Sequence, residues 1–382
     1  MASTPSPGGA RPPAPERLPR YRTKDRDLDR RIVEILDEVG ATNNRDQLFE
    51  IMVTAVRLAG DDADRLDLKI TNAALKELRY AFKVFAPYKD IPKVTMFGSA
   101  RTLPDDPLYA QARAFAASIA ACGWMVVTGA GPGIMAAGLE GAGREMSFGI
   151  NIRLPFEQGV SAFIAADPKL IEMKYFFTRK LALMKESSGF VVLPGGFGTL
   201  DELLELLTLL QTGKAEPAPI VCLDVPHGHF WRGWEQFLER EVAPLGLISP
   251  GDDTLLHVTD DVDDAVAHIR GFYRNFHSIR YVGDLLVIRL RAAPTEAELD
   301  ALSSEFADIC IEPGIEAVAA LPVEVADDDV PDLPRIALQF DRASHARLRA
   351  LIDALNALGS APAELPGPPT PRPAPPTDPP LS

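Results

Sequence analysis

The spacing of apolar and polar residues changes near Lys93. Before it, within residues 25–90, IVEILDEVG, LFEIMVTAVRLAG and ALKELRYAFKVFA repeat apolar residues every three or four positions, which predicts amphipathic helices. From Lys93 to about Tyr273, short apolar runs alternate with helical segments instead. These runs are KVTMF (93–97), WMVVT (124–128), FGINI (148–152), GFVVL (189–193), PIVCL (219–223) and TLLHV (254–258).

Continuous apolar runs are typical of strands buried on both faces of a parallel sheet. Their alternation with helices predicts an α/β fold with a doubly wound, mostly parallel Rossmann-like sheet. Ligands bind such sheets beyond the carboxyl ends of the strands. We therefore expect the functional site in the loops that follow the strands ending at Phe97, Val127, Ile152, Leu193 and Leu223.

A third pattern, from about Ser278 to Leu358, predicts a small C-terminal α+β module of order β-α-β-β-α. YVGDLLVIRLR, IEAVAALP and RIALQFD are typical of strands, and TEAELDALSSEFADIC and SHARLRALIDALN of helices, the first with a capping box at Thr295 and Glu298. The predicted organisation is a disordered tail (1–24), an N-terminal helical collar (25–90), a doubly wound α/β domain (91–277), the module (278–360) and a disordered proline-rich tail (361–382).

Composition narrows the classes of partner. The net charge of −15 over 382 residues leaves no excess of basic residues for nucleic-acid backbone. No run of about 18 apolar residues occurs, and the start, MASTPSPGGARPPAPERLPR, lacks an apolar signal core. The three cysteines lie far apart in apolar stretches, as reduced thiols do. We expect a cytoplasmic protein with neither nucleic-acid nor membrane partners.

The strongest local signal is the glycine-rich stretch LPGGFGTLDE, where a strand ends at Leu193 and a helix is predicted to begin near Thr199. Glycines bring backbone N–H groups close to an anion, and a helix N-terminus adds unpaired donors. On this interpretation a phosphate is bound by Gly195, Gly196, Gly198 and Thr199. The alternative is an ordinary βα loop with a threonine cap.

Two further loops follow neighbouring apolar runs. TGAGPGIM (128–135) contributes Gly129 and Gly131, and MFGSAR (96–101) contributes Gly98, Ser99 and Arg101 as candidate substrate-binding residues. The second loop lacks the last glycine of the dinucleotide fingerprint, and no acidic residue ends the next strand, so an NAD site is disfavoured. There is also no GxxxxGK[ST] loop. The pair His227 and His229 lacks a third ligand and is not expected to bind metal.

The segment EMKYFFTRKLALMKES (172–187) predicts a largely buried helix, because apolar residues cover most of its circumference. Arg179 lies on the apolar stripe between Phe176 and Leu183. A buried guanidinium requires a partner, which is either a structural carboxylate or the phosphate or ribose of a substrate.

Together, Arg179-Lys180 and PGGFGTLDE (194–202) resemble the paired signature of the LOG family, the cytokinin riboside 5′-monophosphate phosphoribohydrolases. FGSAR, TGAGPGIM and the LP-x-E segment (Leu154, Pro155, Glu157) extend the resemblance over about 93–260. It implies a Rossmann-like fold, a homodimer or higher homo-oligomer, no cofactor or metal, and release of a free base and ribose 5-phosphate from a nucleotide such as AMP or a cytokinin ribotide.

By the same resemblance the catalytic pair is Arg179 and Glu202, and Lys180 and Asp201 beside it join the candidate substrate-binding residues. The chain departs from many relatives at Ala136 and Leu139, where they have an acidic residue and an asparagine, so the family's substrate preference is not transferred.

Independently, a carboxylate near the anomeric carbon suits the chemistry, because cleaving an N-glycosidic bond builds positive charge on the ribose. Two alternatives remain. Thr199 and Glu202 fit a T-x-x-E capping box, in which Glu202 only starts a helix. A nucleotide or molybdenum-cofactor carrier or sensor would use a similar cleft without catalysis.

Overall fold

The computed structural model of the protein describes residues 19–153 and 161–364. Residues 1–18 and 365–382 of the predicted tails lie outside the described residues, and so do Leu154, Pro155 and Glu157. The chain divides into two compact units, residues 1–73 and 74–382. The finer domain boundaries given above remain a prediction.

The first unit is helical, as the three- and four-residue spacing predicts. It contains α1 (Arg26–Glu38), α2 (Arg45–Leu58) and the first part of α3 (Arg65–Phe85). Asp25 caps α1 by accepting bonds from the backbone N–H groups of Asp27 and Leu28. The apolar faces of α1 and α2 supply a small core of Ile32, Leu36, Phe49 and Val53.

A seven-stranded sheet with parallel pairing forms the centre of the second unit. Its strands are β1 (Lys93–Phe97), β2 (Met125–Thr128), β3 (Ser147–Ile152), β4 (Leu170–Met173), β5 (Gly189–Val192), β6 (Ile220–Leu223) and β7 (Leu256–Thr259). The helices that alternate with them are α4 (Pro107–Ala121), α5 (Ile134–Ala142), α6 (Phe176–Lys185), α7 (Phe197–Gln211), α8 (Phe230–Phe237) and α9 (Val262–Gly271).

The strand order β4-β3-β2-β1-β5-β6-β7 confirms the predicted doubly wound fold. The chain builds outward from β1 to β4 and then returns through α6 to place β5 on the other side of β1. The order therefore reverses between β1 and β5, the switch point at which such sheets bind ligands. Apolar clusters cover both faces of the sheet, which explains why its central strands read as continuous apolar runs.

Two expectations for residues 170–187 were wrong. Residues 170–173 form an edge strand, whose alternating burial the search for continuous runs did not detect. The helix begins only at Phe176 and is not largely buried, since Phe176, Phe177 and Leu181 are 54%, 55% and 48% exposed. Only its opposite face, including Arg179 and Leu183, packs on the sheet.

The C-terminal part has a different element order from the one predicted. Its four-stranded sheet, ordered β10-β11-β9-β8, consists of β8 (Phe276–Val282), β9 (Leu285–Leu290), β10 (Glu316–Ala317) and β11 (Arg335–Leu338). Its helices are α10 (Glu296–Glu305), α11 (Pro322–Ala326) and α12 (His345–Ala357). YVGDLLVIRLR is not one strand, because Gly283, at a φ of 61°, turns the chain between β8 and β9. The capping box of Thr295 and Glu298 is confirmed.

One face of this small sheet carries a buried charge cluster. Arg289 on β9 and Arg335 on β11 are direct cross-strand partners. Glu324, a fully buried residue of α11, lies between them: Nη2 of Arg289 and Nη1 of Arg335 are each 2.8 Å from its carboxylate. Together with Asp329, which lies 2.6 Å from Arg289, the carboxylate thus balances two like charges that would otherwise repel across the strands.

Within residues 19–153 and 161–364, no helix is both long and apolar enough to cross a bilayer.

Candidate active site

The three glycine-containing loops lie at the carboxyl ends of three adjacent strands. They follow β2, β1 and β5, so they flank the switch point of the sheet. Hydrogen bonds join them: Leu193 N–H donates to the carbonyl of Phe97 at 2.9 Å, and Ile134 N–H donates to the carbonyl of Ser99 at 3.0 Å. Residues from distant parts of the sequence therefore share one edge of the sheet.

The glycine-rich loop after β5 ends in a helix that starts earlier than predicted. α7 begins at Phe197, not near Thr199, and its N-cap is Gly196, which has no side chain to cap the helix. Thr199 and Glu202 consequently lie inside the helix and form no capping box. The first N–H groups of a helix have no intrahelical partner, so this helix start can accept an anion.

The individual glycines of this loop have different surroundings. A Cβ at Gly195 would overlap the buried side chain of Thr199, so this position requires glycine for packing. Among the described residues, nothing lies within 4 Å of a Cβ built at Gly196 or Gly198. The backbone at these two positions therefore borders open space, where a phosphate could approach it.

Arg179 is held at the point where four elements meet. Its Nε donates to the carbonyl of Ile150 on β3 at 2.9 Å, and its Nη1 lies 3.8 Å from Oε1 of Glu202 on α7. A Cβ at Gly129, in the loop after β2, would overlap the guanidinium. Glycine at position 129 thus leaves the space that the arginine occupies.

Glu202 is a shielded carboxylate, with only 14% of its side chain exposed. Burial raises its pKa to about 7, although the positive charges of Arg179 and Lys180 oppose the shift. Asp201 and Glu205 raise the pKa further. A carboxyl group that changes charge near neutral pH can exchange protons during a reaction.

Lys180 connects α6 to α7 beside this pair. Its ammonium lies 2.6 Å from Asp201 and 2.8 Å from Glu205. Burial lowers the pKa of Lys180, but the bonds to the two carboxylates hold it above its ordinary value. Lys180 and Asp201, both predicted to bind substrate, are thus ion-paired to each other in this structure.

The remaining predicted residues line the other two loops. A Cβ at Gly98 would overlap Ile134, and one at Gly131 would lie 2.7 Å from Cε of Met135. The Ser99 hydroxyl accepts the backbone N–H of Arg101, whose side chain is exposed.

Sequence reasoning missed three contributors to this site: the carbonyl of Ile150, the side chain of Met135, and Glu77, whose carboxylate binds the start of α6. A carbonyl carries no sequence signal, and a contact between residues 77 and 178 is invisible to local patterns. Within the described ranges, no three His, Cys, Asp or Glu side chains are grouped to hold a metal ion. A cavity of about 330 Å³ between α8 and residues 243–256 is lined by none of the predicted site residues.

Comparison with known proteins adds independent information. A family model described as "possible lysine decarboxylase" matches residues 132–269. The chain is 34% identical over 160 residues to a cytokinin riboside 5′-monophosphate phosphoribohydrolase of Mycobacterium marinum, covering 41% of this chain and 81% of the relative. It is 35% identical over 155 residues to the protein of the same name from Mycobacterium tuberculosis, covering 39% of this chain and 79% of that relative.

Among solved structures, the molybdenum cofactor carrier protein of Chlamydomonas reinhardtii aligns with 46% of this chain and 94% of its own length, at 23% identity and a TM-score of 0.33. The two mycobacterial relatives are matched over most of their length, at an identity above 30%. On that likeness, the chain belongs to the LOG family, that of the cytokinin riboside 5′-monophosphate phosphoribohydrolases.

Proposed function

We propose that the protein hydrolyses the N-glycosidic bond of a nucleoside 5′-monophosphate and releases the free base and ribose 5-phosphate. The observation that carries the proposal is the pairing of Arg179 with the shielded carboxylate of Glu202 on the helix whose glycine-rich start borders open space. The names of the mycobacterial relatives support the same reaction class.

In this proposal the start of α7 binds the 5′-phosphate. The backbone N–H groups around Gly196, Gly198 and Thr199 donate to its oxygens, and the positive end of the helix dipole favours its charge. Glu202 lies one turn beyond Thr199 on the same helix. A ribose attached to the phosphate therefore extends toward the Glu202 carboxylate.

Glu202 acts at the anomeric carbon. In its ionised form it stabilises the positive charge that develops on the ribose as the C–N bond lengthens. Water adds to the anomeric carbon as the C–N bond breaks and gives one proton to the carboxylate. The carboxylate then returns this proton to the departing base through solvent and is ionised again. A pKa near 7 suits this exchange, because the carboxylate can receive and return a proton at neutral pH.

Arg179 and Lys180 position the Glu202 carboxylate and its helix. Arg179 faces Glu202 while its Nε is fixed on the Ile150 carbonyl, so the guanidinium is oriented before substrate binds. Lys180 holds the first turns of α7 through Asp201 and Glu205. Gly98, Ser99, Arg101, Gly129 and Gly131 complete the proposed substrate-binding loops.

AMP and cytokinin ribotide-like nucleotides are the proposed substrates, with the base left unassigned because Ala136 and Leu139 differ from many relatives. We further propose a homodimer or higher homo-oligomer and a reaction without cofactor or metal. The exposed Phe176, Phe177 and Leu181 of α6 support self-association, since exposed apolar clusters of this kind commonly mark interfaces.

The test is an assay of base release. Purified full-length protein is incubated with 5′-monophosphates of the common bases and a cytokinin ribotide, with the matching nucleosides, and with and without EDTA. We expect release from 5′-monophosphates, little from nucleosides because phosphate binding positions the ribose, and no effect of EDTA.

Three results would contradict parts of the proposal. Equal turnover of AMP and adenosine would remove the role of the phosphate loop. Activity lost with EDTA and restored by a divalent ion would establish a metal requirement. Tight nucleotide binding without base release from any substrate would favour the carrier interpretation.

A further inference from the structure

The start of α6 is held by a carboxylate from a different helix. Glu77 on α3 accepts the backbone N–H of Lys174 on Oε1 at 2.9 Å and the hydroxyl of Thr178 on Oε2 at 2.6 Å. Tyr175, the N-cap residue of α6, shows no side-chain capping bond in the structure. Glu77 therefore ties α3 both to the residue before the N-cap of α6 and to the first turn of the helix.

Glu77 contacts the start of α6 through both oxygens of its carboxylate. One carboxylate accepts two hydrogen bonds at once and lies at the positive end of the α6 dipole. Thr178 is fully buried, so the bond between the two side chains fixes a defined point on the inner face of α6. The Thr178 hydroxyl is also 2.9 Å from the carbonyl of Tyr175, which ties the same point to the turn before the helix.

Arg179 is the residue that follows this fixed point. A rotation or slide of α6 moves the Arg179 guanidinium relative to two partners on other elements, the Ile150 carbonyl and Glu202. The space for the guanidinium is narrow, since even a Cβ at Gly129 would overlap it. Small displacements of α6 thus alter how Arg179 faces Glu202.

We propose that Glu77 is a positioning residue for the Arg179–Glu202 pair: by holding the start of α6, it sets where the Arg179 guanidinium lies. The inference rests on the proposed function for its catalytic consequence. It also assigns a role to residues 74–85 of α3, which lie before the segment that the family model matches.

The primary variant is Glu77→Gln, which keeps the size of the side chain. Its amide oxygen can still accept the Lys174 N–H, but its NH₂ group can only donate to the Thr178 oxygen, which reverses that bond and removes the negative charge from the start of α6. For base release from AMP, we expect kcat to fall about tenfold with KM changed by less than about threefold, because a misplaced Arg179 affects the reacting ribose more than phosphate binding.

A second readout is independent of activity. Arg179 and Lys180 lower the pKa of Glu202, while burial, Asp201 and Glu205 raise it. Displacing α6 removes part of the opposing positive charge, so the titration midpoint of Glu202 should move upward in Glu77→Gln. The midpoint is followed by NMR of ¹³C-carboxyl-labelled glutamate, with the Glu202 signal identified by its absence in Glu202→Gln.

Controls separate positioning from general stability. Thr178→Ser keeps the hydroxyl and should preserve kcat and the titration, whereas Thr178→Val should reproduce the effects of Glu77→Gln. Glu145→Gln removes an exposed carboxylate elsewhere in the same unit and should change nothing. The double variant Glu77→Gln with Thr178→Val should have a kcat little lower than that of either single variant, because both substitutions affect the same interaction.

A lower melting temperature in Glu77→Gln with unchanged kcat and an unchanged Glu202 titration would overturn the proposal and leave Glu77 a purely structural residue. An inactive wild type would refute the proposed function instead. The NMR titration would then still decide whether Glu77 positions Arg179.

Discussion

At the scale of single residues, the site depends on one shielded carboxylate beside a fixed guanidinium. Glu202 has lost most of its hydration, and Arg179 at 3.8 Å compensates only in part. An uncompensated buried carboxylate costs stability. Such a cost is commonly tolerated at positions that serve chemistry.

Glu202→Gln should therefore reduce turnover and increase stability together. The amide cannot carry the charge that the ribose cation requires, so we expect turnover of AMP to fall about 100-fold or more while nucleotide binding persists. The folded-state pKa of about 7 exceeds the ordinary value of 4.5, so the wild type loses stability as pH rises through this interval. Glu202→Gln has no such loss, so its free energy of unfolding above pH 7 should exceed that of the wild type by at most about 3 kcal/mol.

Base-release assays and thermal unfolding at pH 5 and pH 8 check both halves of this prediction. The gain in melting temperature should be present at pH 8 and nearly absent at pH 5. Near-normal turnover in Glu202→Gln would move the catalytic assignment away from Glu202, most plausibly to Asp201.

Arg179→Lys should restore only part of the activity that Arg179→Ala removes. The guanidinium bonds to the Ile150 carbonyl through Nε while Nη1 faces Glu202, and a lysine ammonium cannot reproduce this fork. We expect Arg179→Ala to lower kcat/KM by about 100-fold or more and Arg179→Lys by about tenfold or more, with steady-state assays as the measurement. A fully active lysine variant would reduce the pair to a structural ion pair.

At the scale of elements, the start of α7 shows where sequence reasoning succeeded and where it did not. The three glycines and the strand–loop–helix order located the loop correctly. The predicted helix start lies two residues too late, because Thr199 resembles a capping residue in the sequence but is buried against Gly195. Tertiary packing, which local propensity does not contain, decided the boundary.

Gly195→Ala and Gly198→Ala form a matched pair that tests this loop. A methyl at Gly195 would overlap Thr199, so this variant should lose stability. A methyl at Gly198 meets open space inside a helix, where alanine is favoured over glycine by about 1 kcal/mol. Gly198→Ala should therefore melt at the same or a higher temperature, yet its KM for AMP should rise at least about threefold, because the methyl occupies the approach to the backbone.

Thermal melts and KM values for the two variants provide the check. An unchanged KM in Gly198→Ala would show that no phosphate approaches this backbone and would favour an ordinary βα loop.

The same limit on local patterns explains the other differences between prediction and structure. Central strands were identified because their burial on both faces gives continuous apolar runs. The edge strand β4 alternates in burial instead, so it gives no continuous apolar run and its last residues fit a helical pattern. The outward position of Phe177 and Leu181 also depends on the orientation of α6 against the sheet, which helical periodicity alone does not give.

At the scale of the whole molecule, the exposed apolar side chains of α6 and α7 predict self-association. Phe176, Phe177 and Leu181 of α6 and Leu204 of α7 are about half exposed, and Phe197 is 95% exposed. Lys180 links the two helices, so these side chains belong to neighbouring elements. Clusters of exposed apolar side chains are typical of protein interfaces.

We expect small-angle scattering of the wild type at micromolar concentration to give a dimer or a larger assembly. The double substitution Phe177→Glu with Leu181→Glu should shift it to a monomer, because burying two charges costs more than the contact gains. Leu247→Glu changes another exposed leucine, outside these helices, and should leave the assembly intact. A monomeric wild type would contradict the proposed interface.

The buried cluster of Arg289, Glu324 and Arg335 has a consequence for how the C-terminal module can diverge between species. Glu324 lies between two directly opposed arginines, of which Arg289 also pairs with Asp329. Losing Glu324 leaves Arg335 without this carboxylate and Arg289 with one carboxylate instead of two, and losing one arginine disturbs a balance shared by all three. Substitutions in this cluster that preserve stability must therefore occur together. Among proteins that share this module, the residues at the three positions should vary together, while the exposed charged residues around them vary independently.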